Sequence, residues 1–221
     1  MSKQKPFRVE VVIDAPRDVV WRALTDPVEL RRWFGWDHPG LAEEIRFIFV
    51  DHATPTVGKR IELLGAQTIE LETDGPRTIV RAVRPGTLST AHWDDVYDAM
   101  EEGWRTFFHQ LRYYLERRRG LERRTVHFAG EATPGALLAV IGDGAAERPW
   151  LESRHQRAIA TDEHGGTLIA LVAEHGVAAG QPGKVTITVS AYGLPDAAYD
   201  ALRNAWASRW ASVARSATIT P

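Results

Sequence analysis

The stretch Ile13-Asp14-Ala15-Pro16-Arg17-Asp18-Val19-Val20-Trp21-Arg22-Ala23-Leu24-Thr25-Asp26-Pro27 decides how the chain begins to fold. Just before and into it, Phe7, Val9, Val11 and Ile13 alternate with Arg8, Glu10 and Val12, the period of a strand. Ala15-Pro16 then starts a helix, because a proline in the first turn forfeits no helical hydrogen bond. Val20, Trp21 and Leu24 fall on one face of that helix. Asp26-Pro27 breaks it, since the residue before a proline is pushed out of the helical region. Val28 to Phe34 reads as a second short helix, closed by Gly35.

Strand-like stretches follow at 43–50, 58–64, 67–73 and 77–84, with turns at Pro55, Asp74-Gly75 and Pro85-Gly86. Ile45, Phe47 and Phe49 share one face of the first of these strands. The segment 96–118 predicts a long helix, because Met100, Trp104, Phe107, Phe108, Leu111 and Leu115 recur at spacings of 3 and 4. Gly120 is placed to cap it. The second half reads as a strand at 125–131, a short apolar segment at 135–141, and strands near 154–160, 167–174 and 184–191. A helix from Pro195 follows, with the stripe Tyr199, Leu202, Trp206, Trp210 and Val213. Runs of strands followed by a helix that covers one sheet face make an α+β layer fold.

The halves also resemble each other. Val96 to Trp104 matches Ala198 to Trp206 without a gap, keeping Tyr, Asp, Ala and Trp in place. Thr73 to Val80 matches Thr161 to Ile169, and Val9 to Pro16 matches Val126 to Pro134 more weakly. The three pairs occur in the same order, which predicts a duplicated unit with a shortened, degenerate second copy. The expected domains are 1–119 and 124–221.

Composition narrows the function classes. The 221 residues are 44% hydrophobic and 25% charged, with a net charge of −2. No broadly basic surface for nucleic acid follows from that balance. The chain has no cysteine, which excludes disulfides, thiolate metal sites and cysteine nucleophiles. No apolar run is long enough for membrane insertion, and the polar N-terminus has no signal-peptide core, so a cytoplasmic location is expected. The eight histidines show no pairing at helical or strand spacing, so no metal site and no cofactor is expected. No nucleotide-binding or hydrolase motif occurs, and no catalytic residue is assigned. His92-Trp93-Asp94-Asp95 is the densest polar cluster: a ligand-contacting group, or a cap in which Asp94 or Asp95 starts the following helix. Glu70 and Glu72 share a strand face, which fits a solvent-facing side or paired carboxylates.

The run from Ile13 to Pro27, with Leu30 and Trp33-Phe34 after it and Gly103-Trp104 in the long helix, resembles the SRPBCC (START-like, helix-grip) superfamily. Within it, the chain is similar to the bacterial homologues of the activator of heat-shock protein 90 ATPase. The resemblance covers residues 7–118; the later half shares it only through the internal repeat and lacks counterparts of Val20-Trp21 and Trp33-Phe34. It implies a curved antiparallel sheet around a long C-terminal helix, with a hydrophobic cavity between them for a lipid or polyketide-like molecule.

Three functions follow from that resemblance. The first is non-catalytic binding of a small hydrophobic ligand in the N-terminal unit, with Trp36, Phe47, Phe49, Trp93, Trp104 and Phe108 as walls and Arg105 and His109 as polar contacts. The second is a co-chaperone-type interaction protein that stimulates an ATPase, with a chaperone or a second copy as partner. The third is a polyketide cyclase-like enzyme.

Overall fold

The computed structural model describes residues 5–86, 96–142 and 149–220, of which Ser216 and Ala217 by backbone alone. The chain divides into two compact units, Met1–Gly35 with Pro39–Gly120, and Trp36–His38 with Leu121–Pro221.

The first unit runs β1 (Phe7–Ile13), α1 (Arg17–Thr25), α2 (Pro27–Leu30), α3 (Leu41–Arg46), β2 (Thr54–Thr56), β3 (Arg60–Leu63), β4 (Gln67–Asp74), β5 (Arg77–Arg84) and α4 (Ala99–Tyr113). The strands form one antiparallel sheet in the order β1-β5-β4-β3-β2. Register places Val9 beside Ala82, Ala82 beside Ile69, and Ile69 beside Ile61. All four are buried, so the alternation read from β1 extends across the sheet as one apolar face. The opposite face is charged. There the Arg81 guanidinium pairs with both Glu10 and Glu72, so Glu72 belongs to a surface ion network. Arg81, with Arg8 behind it, holds the Glu10 carboxyl below its ordinary range.

Asp26 accepts a hydrogen bond from Val28 N–H and starts α2, with Pro27 in the first turn. The Trp33 indole N–H donates to the Ala23 carbonyl at 2.8 Å and pins the segment after α2 onto α1. α4 packs along β1. Its N-cap is Asp98, whose carboxylate accepts from Met100 N–H and Glu101 N–H. The helix begins three residues later than its periodicity suggests, and Asp94 and Asp95 lie outside the described residues. A wider, π-type turn over Tyr114–Arg118 ends it, and Gly120 follows at φ +85, a conformation that suits glycine.

The strand expected at 43–50 is not a strand. Residues 41–46 are helical and 47–51 form a second π-type turn. Leu41, Ile45 and Phe49 satisfy a period of 2 and a period of 4 alike, and Phe47 decides between them. Leu41, Ile45 and Phe49 are all buried, while Phe47 is 50% exposed. A strand would have placed Phe47 on the same side as its two neighbours.

The second unit runs β6 (Arg123–Ala132), α5 (Pro134–Ile141), β7 (Leu151–Glu152), β8 (Gln156–Thr161), β9 (Thr167–Ala173), β10 (Gly183–Tyr192), α6 (Asp196–Ala211) and β11 (Arg215–Thr220). Its sheet order is β11-β6-β10-β9-β8-β7. Apart from β11, this is the circuit of the first sheet: the first strand lies beside the last, and the others count backward. Both halves are thus α+β, with an antiparallel sheet and a long helix after its last hairpin, and the duplication shows in connectivity. Two of the local matches are out of phase with it. Thr73 to Val80 spans β4–β5, whereas Thr161 to Ile169 spans β8–β9 rather than the equivalent β9–β10. Tyr97 precedes α4, whereas Tyr199 lies in the first turn of α6 and donates its hydroxyl to the Thr125 carbonyl at 2.7 Å. The core of this unit packs Tyr199, Leu202, Trp206 and Trp210 of α6 on Val126, Phe128, Ile187 and Val189.

Candidate functional site

The aromatic side chains of the first unit converge between α4 and the segments after α2 and α3. Phe34 meets Phe49 with ring centroids 5.0 Å apart, Phe107 at 4.8 Å and Trp104 at 6.5 Å. Trp33 meets both Phe34 and Phe49 edge-on, and Trp104 meets Phe108 at 5.4 Å. Helical geometry makes the group possible: Trp104 and Phe108 lie one turn apart on α4, as Ile45 and Phe49 do on α3 and the turn after it. A polar group ties the cluster to the sheet. The Trp104 indole N–H donates to Gln67 Oε1 at 2.8 Å, and Gln67 Nε2 donates back to the Leu64 carbonyl at 3.3 Å.

Of the residues expected to line a ligand site, Phe49, Trp104 and Phe108 are brought together here. Phe47 is on the surface, where its ring lies 4.2 Å from that of His52. Trp36 belongs to the second unit, stacked on His127 at 4.1 Å and 12°. Trp93, with His92, lies outside the described residues. Arg105 is drawn along its own helix to Glu101 at 2.9 Å and Glu102 at 3.4 Å.

His109 lies apart from the aromatic cluster, in a polar cleft of about 500 Å³ whose wall includes Glu10, Asp14, Arg77, Arg112 and Glu116. Burial, with Arg112 and Arg105 nearby, pushes its pKa down to about 4, so the imidazole is neutral at pH 7. Arg112 in turn pairs with Glu116, which accepts from Asp14 N–H.

Gln67 gave no signal in the sequence, because its partner is 37 residues away. Trp33, Phe34 and Phe107 were visible as aromatic positions, but only the fold makes them neighbours of Trp104. A groove of about 420 Å³ lies beside Gln67 on the charged face of the sheet, away from the cluster, with Arg60, Glu62, Thr68, Glu70 and Val83 in its wall. Among the described residues no group of three His, Asp or Glu side chains is placed to hold a metal, and no helix is long and apolar enough to cross a membrane.

No protein-family model and no curated protein matches the chain. Solved structures do. DynU16, a protein of the dynemicin biosynthetic locus, is 20% identical at a TM-score of 0.36, over 94% of this chain and 96% of its own. The Aha1 dimer from Colwellia psychrerythraea is 18% identical at 0.36, over 53% of this chain and all of its own (100%). The di-domain ARO/CYC BexL is 13% identical at 0.30, over 93% of this chain and 94% of its own. At such scores these likenesses assign no function to the chain.

Proposed function

We propose that this protein is a two-unit member of the helix-grip superfamily, with units at 1–119 and 124–221, and that its first unit binds a small hydrophobic molecule without catalysing a reaction on it. The observation that carries this reading is the aromatic cluster of Phe34, Phe49, Trp104, Phe107 and Phe108, with the Gln67–Trp104 polar pair at its edge. Ligand sites are mostly apolar, with a few placed polar groups that fix orientation. The finer assignment, to the bacterial homologues of the activator of heat-shock protein 90 ATPase, rests on sequence motifs: Ala15-Pro16, Val20-Trp21, Ala23-Leu24-Thr25 with Pro27, Trp33-Phe34, and Gly103-Trp104 in the long helix. A lipid or polyketide-like molecule in the cytoplasm fits the apolar character of the cluster.

Titration of the full chain with an environment-sensitive apolar dye tests this. Saturable binding near one equivalent is expected, weakened or altered by Trp104→Ala and unchanged by Phe47→Ala. Binding that ignores Trp104→Ala would place the ligand elsewhere.

A further inference from the structure

The Gln67–Trp104 hydrogen bond joins the start of β4 to the second turn of α4, at the solvent edge of the aromatic cluster. Three features meet there. First, Trp104 is 5% exposed, so its indole N–H has little access to water and depends on Gln67 Oε1. Second, Gln67 follows a turn in which Gly65 and Ala66 both have positive φ, +69 and +57. Ala66 is one of two described non-glycine residues so placed, and strain held in a turn beside a site marks a backbone whose geometry the fold over-determines. Third, exposed apolar side chains flank the bond. Leu64, whose carbonyl accepts from Gln67, is 46% exposed, and Met100, one turn before Trp104, is 48% exposed.

We propose that this hydrogen bond is a latch on the ligand site, and that the ligand carries a carbonyl oxygen that replaces Gln67 Oε1 on the Trp104 indole N–H. The inference rests on the binding site proposed above and adds the chemistry that selects its occupant. A molecule wedged between the rings displaces Gln67. A pure hydrocarbon then leaves a buried donor unpaired, which carries the full cost of its lost solvation. A ligand with an apolar body and one carbonyl restores the bond and avoids that cost. The site would therefore discriminate by one acceptor atom rather than by size, as sites built around a buried polar group do.

The test compares naphthalene with acetylnaphthalene, the same ring system plus one ketone, by equilibrium dialysis against the full chain. Acetylnaphthalene should bind more tightly by about tenfold, the equivalent of ~1.4 kcal/mol. Trp104→Phe keeps an aromatic ring and removes the N–H, so the preference should vanish while naphthalene still binds. Gln67→Leu removes the competing acceptor, so acetylnaphthalene should bind more tightly than to the unaltered protein. Equal affinities in the unaltered protein, a preference that survives Trp104→Phe, or no gain in Gln67→Leu each overturn the latch while leaving the site itself standing. Failure of both probes to bind overturns the site and the latch together.

Discussion

Asp37 and Thr125 bond each other reciprocally: Asp37 Oδ2 accepts from Thr125 N–H at 2.7 Å, and Asp37 N–H donates to Thr125 Oγ1 at 2.6 Å. The last described partner of β6 on this edge is Thr220 of β11, opposite His127. Two residues further along, Asp37 stands where a strand would continue, so the Thr125 N–H is satisfied on an otherwise open edge. Thr125 is fully buried, which leaves no solvent to take over. Asp37→Ala should therefore destabilise the second unit by about 1–3 kcal/mol, and Asp37→Asn by less. Urea unfolding measures both, and a loss under about 0.5 kcal/mol for the alanine variant would show that the bond contributes no more than an ordinary surface contact.

Phe47 and Phe49 make a paired test of the helix over 41–46. Phe49→Ala empties a site inside the aromatic cluster and should cost about 3–5 kcal/mol. Phe47→Ala removes a half-exposed ring and should stay within about 0.5–1 kcal/mol. Equal costs would restore the strand in which both rings face the same way.

His127 makes stability sensitive to acid. Its Nδ1 meets Thr188 Oγ1 at 2.9 Å, Trp36 stacks on its ring, and burial pushes its pKa from the ordinary 6.5 down to about 4. Between those two values the unfolded chain binds a proton that the folded chain does not. Stability must then fall as pH drops through this window, by up to about 1.4 kcal/mol per pH unit, and level off below it. His109 adds a loss of the same sign over the same range. His127→Gln should make the pH dependence shallower by one proton's share, read from unfolding midpoints across pH 7 to 4. An unchanged slope would mean that His127 titrates normally.

Ala66, at φ +57, sits where a side chain is disfavoured and glycine is not. Ala66→Gly should stabilise the fold by about 0.5–1 kcal/mol, the relief of strain outweighing the added freedom of the unfolded chain. Ala66→Val should destabilise by more than that gain, because a β-branched side chain suits this conformation still less. Thermal unfolding of the two variants decides the sign.

Local periodicity sufficed wherever one pattern had one solution. Phe7 to Ile13 alternates and is a strand; Trp104, Phe108 and Leu111 recur at helical spacing and are the buried face of α4. The order strand, helix pair, strands, long helix followed from such signals together with Pro16, Pro27 and Gly120. The same signals misread Ile45, Phe47 and Phe49, because two of those three positions fit both periods and only the exposure of Phe47 breaks the tie. β11 escaped notice because Arg215 to Thr220 has too little alternation to announce an edge strand. The repeat was legible as a duplication, but its matches were partly out of phase, since connectivity constrains a sheet more tightly than any hairpin's residues do.

The site depended on tertiary structure. The sequence by itself determined that Phe49, Trp104 and Phe108 are apolar positions of the first unit. It could not determine that Trp36 stacks on His127, that Arg105 turns to Glu101 and Glu102, or that His109 lies in a polar cleft, because each depends on which chain segments meet. Gln67 is the clearest case: a glutamine at the start of a strand is ordinary in any sequence. Its role comes from a turn with two positive-φ residues that sets it against the one buried indole N–H of α4.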